Sequence, residues 1–353
     1  MKRVLTILSM FLIAAICAPT ISASSHSESG EIDAKEIIFD HLGDRYGWEV
    51  PFSHSHFIPL PVIIRDYEGV WHVFSSAKLE HGAEYDGFKI ASEGDYASKI
   101  VGYEPMTDGE LKEYRPFDLS ITKNVLGIII SALLVMWCAF SVKRWYRKNG
   151  MKAPRKATGL LELTVEFIYD GVIKATLGKK AHKFAPYLLT VFFFILIMNL
   201  LGLMVIFPGG ANLTGNISVT IVLSVCTFLV TNIFGTKHYW KDIFWPDVPL
   251  WLKFPLPIMP IIEIFGVFTK PAALTVRLFA NMMGGHMIIM VLVLLIFIFA
   301  SFGAAAIGVS TVVSMLFTLF MYAIDILVSF IQAYVFTMLS TIFISLAQEG
   351  SEH

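Results

Sequence analysis

Long uncharged apolar stretches in the second half of the chain constrain its fold more than any other feature. No Asp, Glu, Lys or Arg occurs between Phe184 and Thr236. Hydrophobic residues make up 56% of the 353 positions, only 16% are charged, and the mean hydropathy is +0.67. An apolar run of about 20 residues can cross a bilayer as a helix. The sequence therefore predicts an all-α polytopic membrane protein.

Apolar runs and their flanks predict about five membrane crossings. They cover about 125–142, 185–207, 217–235, 258–301 and 305–346. The last two exceed the roughly 20 residues of one perpendicular crossing, so we expect long and strongly tilted helices. After the first crossing, Glu162, Glu166 and Asp170 recur at every fourth position. This spacing places them on one helical face and predicts an amphipathic interfacial helix over 160–177.

The chain predicts three regions: a signal peptide over 1–23, an extracytoplasmic domain over 24–120 and a membrane domain over 121–353. Lys2 and Arg3 precede a short apolar core, which is typical of a secretory signal, with an uncleaved signal anchor as the alternative. Basic residues follow the first crossing and place that flank in the cytoplasm. Both signals put residues 24–120 outside and, after five crossings, the C-terminus inside.

The exported region is polar and predicts a small β-containing extramembrane domain. The segments Ile58–Arg65 and Val70–Phe74 flank Asp66-Tyr67-Glu68-Gly69, a hairpin pattern. Pro59 and Pro61 cannot donate to a sheet ladder, so we expect the first of these strands at a sheet edge.

Very few ionisable side chains lie in the last two apolar segments. Between Phe254 and Ile344 they are, apart from tyrosines, Glu263, Lys270, Arg277, His286 and Asp325. A charge at bilayer depth costs at least about 2.5–3.5 kcal/mol, so such residues usually mark a pathway. The alternative is an Arg–Asp pair that only joins two helices.

Spacing predicts how these groups are arranged on their helices. Glu263, Lys270 and Arg277 are seven residues apart and stay within about 60° of one line, whereas His286 falls about 180° from Arg277. One face thus carries a permanent cation and the other a group that titrates near neutral pH. On the last helix, a polar stripe implies a wet cavity or a polar partner; it consists of Asp325, Ser329 and Gln332.

The run Lys270–His286, with its Arg-Leu-Phe-x-Asn core, resembles the signature of the ATP synthase subunit a family. Ile331–Phe336, Pro186, Asn199 and Asn216–Thr220 are similar to other parts of that family, and the resemblance covers about 120–353. It implies that Arg277 faces rotor carboxylates. It also implies a set of neighbours for proton translocation, namely Asn281, Gln332, His286, Asp325 and Glu263, supported by Lys270, Ser329, Asn199 and Asn216.

Within this resemblance, we expect Glu263, His286 and Asp325 to line an outer half-channel whose mouth lies near Asn212–Asn216. Gly202 occupies a position where some members have an acid. The resemblance further implies a non-catalytic, proton-conducting stator in a bacterial inner membrane, with a periplasmic N-terminal domain. The implied partners are the c-subunit rotor ring, the b-subunit peripheral stalk, the catalytic ATPase head and membrane lipid.

Three other functions fit the sequence less well. A self-contained proton-coupled transporter or channel would need a gate and a repeat interface. A redox subunit or membrane enzyme would need paired histidines or a hydrolase motif, and a pure scaffold leaves an arginine at depth unexplained. The sequence predicts no cofactor and no metal, because His54 and His56 lack accompanying ligands. A net charge of −1 without a basic block predicts no nucleic-acid binding.

Overall fold

The computed structural model describes residues 43–49, 57–91, 96, 98–105, 111–150, 152, 154, 157–204, 210, 212–244, 258–300 and 304–348. The predicted signal peptide and His54-Ser55-His56 lie outside these residues. The described chain divides into two compact units. One holds the residues up to Leu126 together with Ile288–Phe320, and the other holds Gly127–Met204, Pro208–Met287 and Met321–His353.

In the described residues of the N-terminal region, eight short strands form three antiparallel sheets. The strands are β1 (Gly47–Glu49), β2 (Phe57–Pro59), β3 (Pro61–Arg65), β4 (Trp71–Ser75), β5 (Phe88–Ile90), β6 (Ile100–Pro105), β7 (Leu111–Tyr114) and β8 (Phe117–Asp118). The sheet orders are β1-β2, β4-β3-β8 and β5-β6-β7. Their shared core includes Val62, Ile64, Phe74, Phe88 and Ile100. The predicted β-containing region is confirmed.

The predicted hairpin forms between β3 and β4, but the prediction of its first strand was wrong in two respects. Ile58 belongs to β2 and pairs with Trp48 of β1, so the predicted strand is split at Leu60. Furthermore, β3 is a central strand rather than an edge. Pro61 is tolerated because it is the first residue of β3 and only accepts, from the N–H of Ile121 at 3.1 Å.

Within the described part of the chain after β8, the main helices are here labelled α1 to α7. They are α1 (Lys123–Asn149), α2 (Ala157–Ile168), α3 (Ala181–Leu203), α4 (Ile217–Ile233), α5 (Lys237–Phe244), α6 (Ile258–Ala300) and α7 (Ala304–Gln348). A π-helical turn (Tyr169–Lys174), a short helical segment (Ala175–Leu177) and a 3-10 turn (Gly178–Lys180) join α2 to α3.

Within the described residues, four helical runs are long and apolar enough to cross a membrane. A fifth arises if α4 and α5, which meet at 104°, count as one span. This confirms the predicted all-α polytopic fold with about five crossings. At 43 and 45 residues, α6 and α7 are as long as predicted, and their tilt stays a prediction.

The C-terminal end of α7 is fixed to two helix junctions. The last carbonyl groups of a helix have no partner within it, so they need donors from elsewhere. Here the backbone N–H of Thr236 and the ammonium of Lys180 donate to two of these carbonyl groups. The side chains of Ser345 and Gln348 make two further hydrogen bonds. The four bonds are Thr236 N to Ala347 O at 2.9 Å, Lys180 Nζ to Gln348 O at 2.9 Å, Ser345 Oγ to Thr176 O at 3.2 Å, and the Gln348 amide to Phe234 O.

In the N-terminal region, His72 on β4 joins two acidic residues. Its Nε2 lies 3.0 Å from Asp66 Oδ2, and its Nδ1 bonds to Asp86, whose φ of 57° is left-handed. The hydrogen bond to Asp66 raises the pKa of His72, and the same bond lowers the pKa of Asp66. The protonated ring therefore holds the strained Asp86 backbone in place.

We expect the hydrogen bond between His72 and Asp86 to weaken as the pH rises. A raised folded pKa means that the stabilisation from His72 is complete below its ordinary value near 6.5 and is lost as the pH rises through the folded value. Hydrogen exchange around Asp86, corrected for intrinsic rates, should therefore accelerate at alkaline pH. His72→Asn should abolish this pH dependence, while exchange at Val101 in the β5–β6 ladder serves as the control. A pH response that persists in His72→Asn contradicts the assignment.

Candidate functional site

The candidate site lies where α6 and α7 pack antiparallel, with α3 and α4 beside them. Lys270 of α6 places its ammonium 5.6 Å from the ring centre of Phe343 on α7, and further along, Gly285 of α6 meets Asp325 of α7. On the α4 side, the hydroxyls of Ser224 and Thr275 are 2.5 Å apart. These contacts fix which residues of α6 face the other helices.

Asn199 on α3 links three segments at the site. Its side chain is fully buried, its Oδ1 accepts from Thr214 Oγ1 at 2.8 Å, and its Nδ2 donates to Ser329 O at 3.3 Å. Buried amides are costly unless bonded, so these partners hold the α3–α4 turn and α7 against α3. Ser329, also fully buried, donates to the carbonyl of Asp325.

His286 bonds to backbone carbonyl groups through both ring nitrogens. Nδ1 lies 3.0 Å from Met282 O, and Nε2 lies 3.2 Å from Gly202 O on α3. Because carbonyl oxygens only accept, each of these bonds requires an N–H on the ring nitrogen that makes it. The backbone of Gly202 thus receives this bond at the position where some family members have an acid.

Asp325 is buried against the backbone of α6. A side chain on Gly285 would begin 2.7 Å from Asp325 Oδ1, so the glycine leaves the space that the carboxyl fills. Oδ2 has no hydrogen-bond partner among the described residues. His286 is a neighbour of this carboxyl, and no ion pair joins the two among the described residues. A buried acid beside a histidine can take up and release a proton.

Arg277 lies on the opposite, outward face of α6. Leu274, Leu278 and Met282 are buried, whereas Arg277 and Asn281 are exposed. Within the described chain, the Arg277 guanidinium makes no hydrogen bond or ion pair. Gln332 is buried on α7 and does not bond to Arg277 there. The helix therefore carries a permanent cation on its exposed face.

Glu263 lies far from His286 along α6. It is 23 residues before His286 on that helix, which at 1.5 Å per residue is about 35 Å. Tyr239 of α5 is among its neighbours. Asn216, predicted as a supporting residue, caps α4 by accepting from Ser218 N at 3.0 Å.

Several partners of the site were missed by the sequence analysis. Thr214, the carbonyl of Gly202 and the Ser224–Thr275 hydroxyl pair form tertiary contacts that no local pattern identifies. The adjacent glycines 284 and 285 were a usable signal, because small residues mark close helix approach in membranes. Only Gly285 has Asp325 against it, and Gly284 faces open space within the chain.

Comparison with known proteins decides the family. A family model described as "ATP synthase A chain" matches residues 125–345, and a second, "Domain of unknown function (DUF8433)", matches residues 37–119. The chain belongs to the ATP synthase subunit a family. It is similar to "ATP synthase subunit a 2" of Chlorobaculum tepidum, with 43% identity over 72% of this chain and 71% of the relative.

Two further relatives lead to the same family. "ATP synthase subunit a 2" of Prosthecochloris aestuarii is 38% identical over 80% of this chain and 86% of its own length, and "ATP synthase subunit a" of Myxococcus xanthus is 38% identical over 67% and 75%. This subunit a is therefore a multi-pass membrane protein and a proton-conducting stator subunit of an F-type ATP synthase, working in a complex with other subunits. A self-contained transporter or channel is not favoured.

The Gly285 contact yields a test with a matched neighbour. In Gly285→Ala, the new methyl displaces the Asp325 carboxyl, and overpacking of this kind typically costs about 1–3 kcal/mol. Gly284→Ala meets no atom of the chain and should be neutral or slightly stabilising. The thermal midpoints of the two detergent-solubilised variants measure the difference.

Adding Asp325→Ala should restore the stability of Gly285→Ala, because the methyl then has room. Equal midpoints for the two glycine variants, or no rescue in the double variant, would show that Asp325 does not occupy this space.

Proposed function

We propose that Arg277 of this subunit a couples proton flow to rotation by facing the carboxylates of the c-subunit rotor ring. The observation that carries the proposal is the exposed guanidinium on a membrane-length helix, without a partner in the described chain. A charge in an apolar environment needs an opposite charge or water. A carboxylate on a neighbouring subunit supplies the opposite charge.

This arrangement gives the arginine a physical role in transport. A rotor carboxyl stays neutral against lipid, because desolvation disfavours its charged form, and ionises when it reaches a cation. Arg277 also repels a proton that would pass straight across, as a fixed positive charge does in other selective pores. Protons must then leave and rejoin the ring on opposite sides of Arg277. Asn281 and Gln332 are its proposed polar neighbours.

On one side, we assign His286 and Asp325 to the outer half-channel, supported by Asn199 and Ser329. His286 follows Arg277 by nine residues, or about 14 Å along α6. The buried carboxyl with a free oxygen and the adjacent imidazole form a proton-exchanging pair. Asn199 bonds Thr214 in the α3–α4 turn, which supports an entrance near Asn212–Asn216.

On the other side, we assign Glu263 to the inner half-channel, together with Lys270. Glu263 precedes Arg277 by 14 residues, or about 21 Å along α6. Its neighbour Tyr239 lies in α5, beside the basic residues Lys237 and Lys241, a charge pattern typical of a cytoplasmic flank. Arg277 then separates the two half-channels along one helix.

We further propose a membrane orientation for the chain and a set of partner subunits. A signal peptide over 1–23 and basic residues after α1 would place residues 24–120 in the periplasm of a bacterial inner membrane and the C-terminus in the cytoplasm. The membrane domain would span 121–353. The b-subunit peripheral stalk would hold it against the catalytic head, and no nucleic acid or cofactor is involved.

Arg277→Ala should reduce ATP-driven acidification of inverted vesicles to background while the complex still assembles, because no permanent cation then ionises the rotor carboxyl. Arg147→Ala, an exposed arginine on α1, is the matched control and should pump normally. Acidification, ATP hydrolysis and passive proton leak are measured together. Undiminished pumping by Arg277→Ala would make the arginine structural.

The two half-channels should respond to the pH on opposite sides of the membrane. In inverted vesicles the cytoplasmic face meets the medium, so Glu263→Gln should pump several-fold more slowly and recover as the medium is acidified. Asp325→Asn should also slow pumping, but medium pH should not rescue it. If both variants respond to medium pH alike, the assignment of Glu263 and Asp325 to separate half-channels fails.

A further inference from the structure

The sheet β4-β3-β8 exposes an apolar face, here called the outer sheet face and formed by Ile63, Arg65, Trp71, Val73, Phe117 and Leu119. Alternate residues of these strands, such as Val62, Ile64 and Phe74, are buried in the core, as the period of a strand requires. On the outer sheet face, Val73 is 69% exposed, Phe117 62%, Leu119 58% and Trp71 50%.

The aromatic residues of this face form an ordered group around one cation. Arg65 pairs in register with Trp71 on one side and with Phe117 on the other. The two rings are edge to face at 6.3 Å, and the Arg65 guanidinium lies 5.9 Å from the Trp71 ring centre. Soluble surfaces seldom carry a contiguous apolar patch of this kind unless it is an interaction site.

The sheet is tied directly to the start of α1. Leu119 is four residues before Lys123, a span of at most about 14 Å of extended chain. Lys123 N donates to Arg45 O at 2.9 Å, and Asn124 N donates to Asp44 Oδ1 at 3.1 Å. Exposed apolar side chains on α1 begin at Val125. The outer sheet face is therefore within reach of the membrane boundary.

We propose that the outer sheet face rests on the phospholipid headgroup layer of the membrane that α1 crosses. Headgroups occupy roughly 5–8 Å beyond each face of the hydrocarbon, and aromatic residues concentrate at that depth. Arg65 uses Nε to bond Gly69 O at 3.0 Å, and its terminal nitrogens suit a lipid phosphate. The contact would give the domain over residues 37–119 a function as an interfacial anchor. It is independent of the proton path.

The test uses the assembled complex in phosphatidylcholine–phosphatidylglycerol liposomes, with the 3 native cysteines replaced by alanine. Val73→Cys is labelled with an environment-sensitive fluorophore, and Glu84→Cys, an exposed loop position outside the outer sheet face, is the control. Quenching is measured with a lipid that carries a nitroxide on its headgroup and with iodide in the water.

We expect the label at Val73 to be quenched several-fold more by the headgroup nitroxide than the label at Glu84, and less by iodide. Equal iodide quenching at both sites would mean that the face is free in water, and protection from both quenchers would mean that protein covers it. Either result overturns the proposal. Leu119→Cys provides a second reporter if Val73→Cys does not assemble.

Discussion

The contact between Asp325 and Gly285 is the interaction on which the rest of the site depends. A glycine at this point of α6 allows the carboxyl of α7 to lie against the helix backbone. That approach buries an acid and places it beside His286, which α3 holds through the carbonyl of Gly202. In an apolar surrounding, a group that can change its charge is tolerated only with such neighbours. Helix packing and proton chemistry are therefore set by one close approach.

The ionisable groups of the proposed pathway are separated along α6. The permanent charge of Arg277 is exposed, the titratable pair lies further along, and Glu263 lies in the other direction near α5. A stator must also resist the force of a moving partner. The four hydrogen bonds that fix the end of α7 to the α2–α3 and α4–α5 junctions restrain that end of the helix.

The length of the apolar runs predicted most of the helical fold, because membrane helices are specified by length and apolar composition. The bounds of α6 and α7 differ from the predicted ones by at most two residues, since charge-free runs leave little choice. The β-region was harder: whether Pro61 lies at an edge depends on which strand pairs beside it, and β8 begins at Phe117, 52 residues after β3 ends at Arg65. Faces of α6 were predictable, whereas the meeting of His286 with Gly202 depends on tertiary packing alone.

The same limit applies to Glu263. The family resemblance identified it as an acid of the pathway, but not the end of the helix to which its partner would come. Its proposed place in the inner half-channel rests on its distance from His286 along α6 and on the nearby Tyr239 of α5. Local patterns thus identify ionisable groups, and the packing of neighbouring helices determines where each can exchange protons.

The central claim is that Arg277 meets a carboxylate from outside its own chain. An electron cryomicroscopy map of the assembled complex, at a resolution that shows side chains, tests it most directly. We predict that the Arg277 guanidinium points into the interface with the rotor ring, within hydrogen-bonding or one-water distance of a rotor carboxylate. A guanidinium turned inward onto Asp325 or Gln332, with no rotor carboxylate near it, would contradict the account.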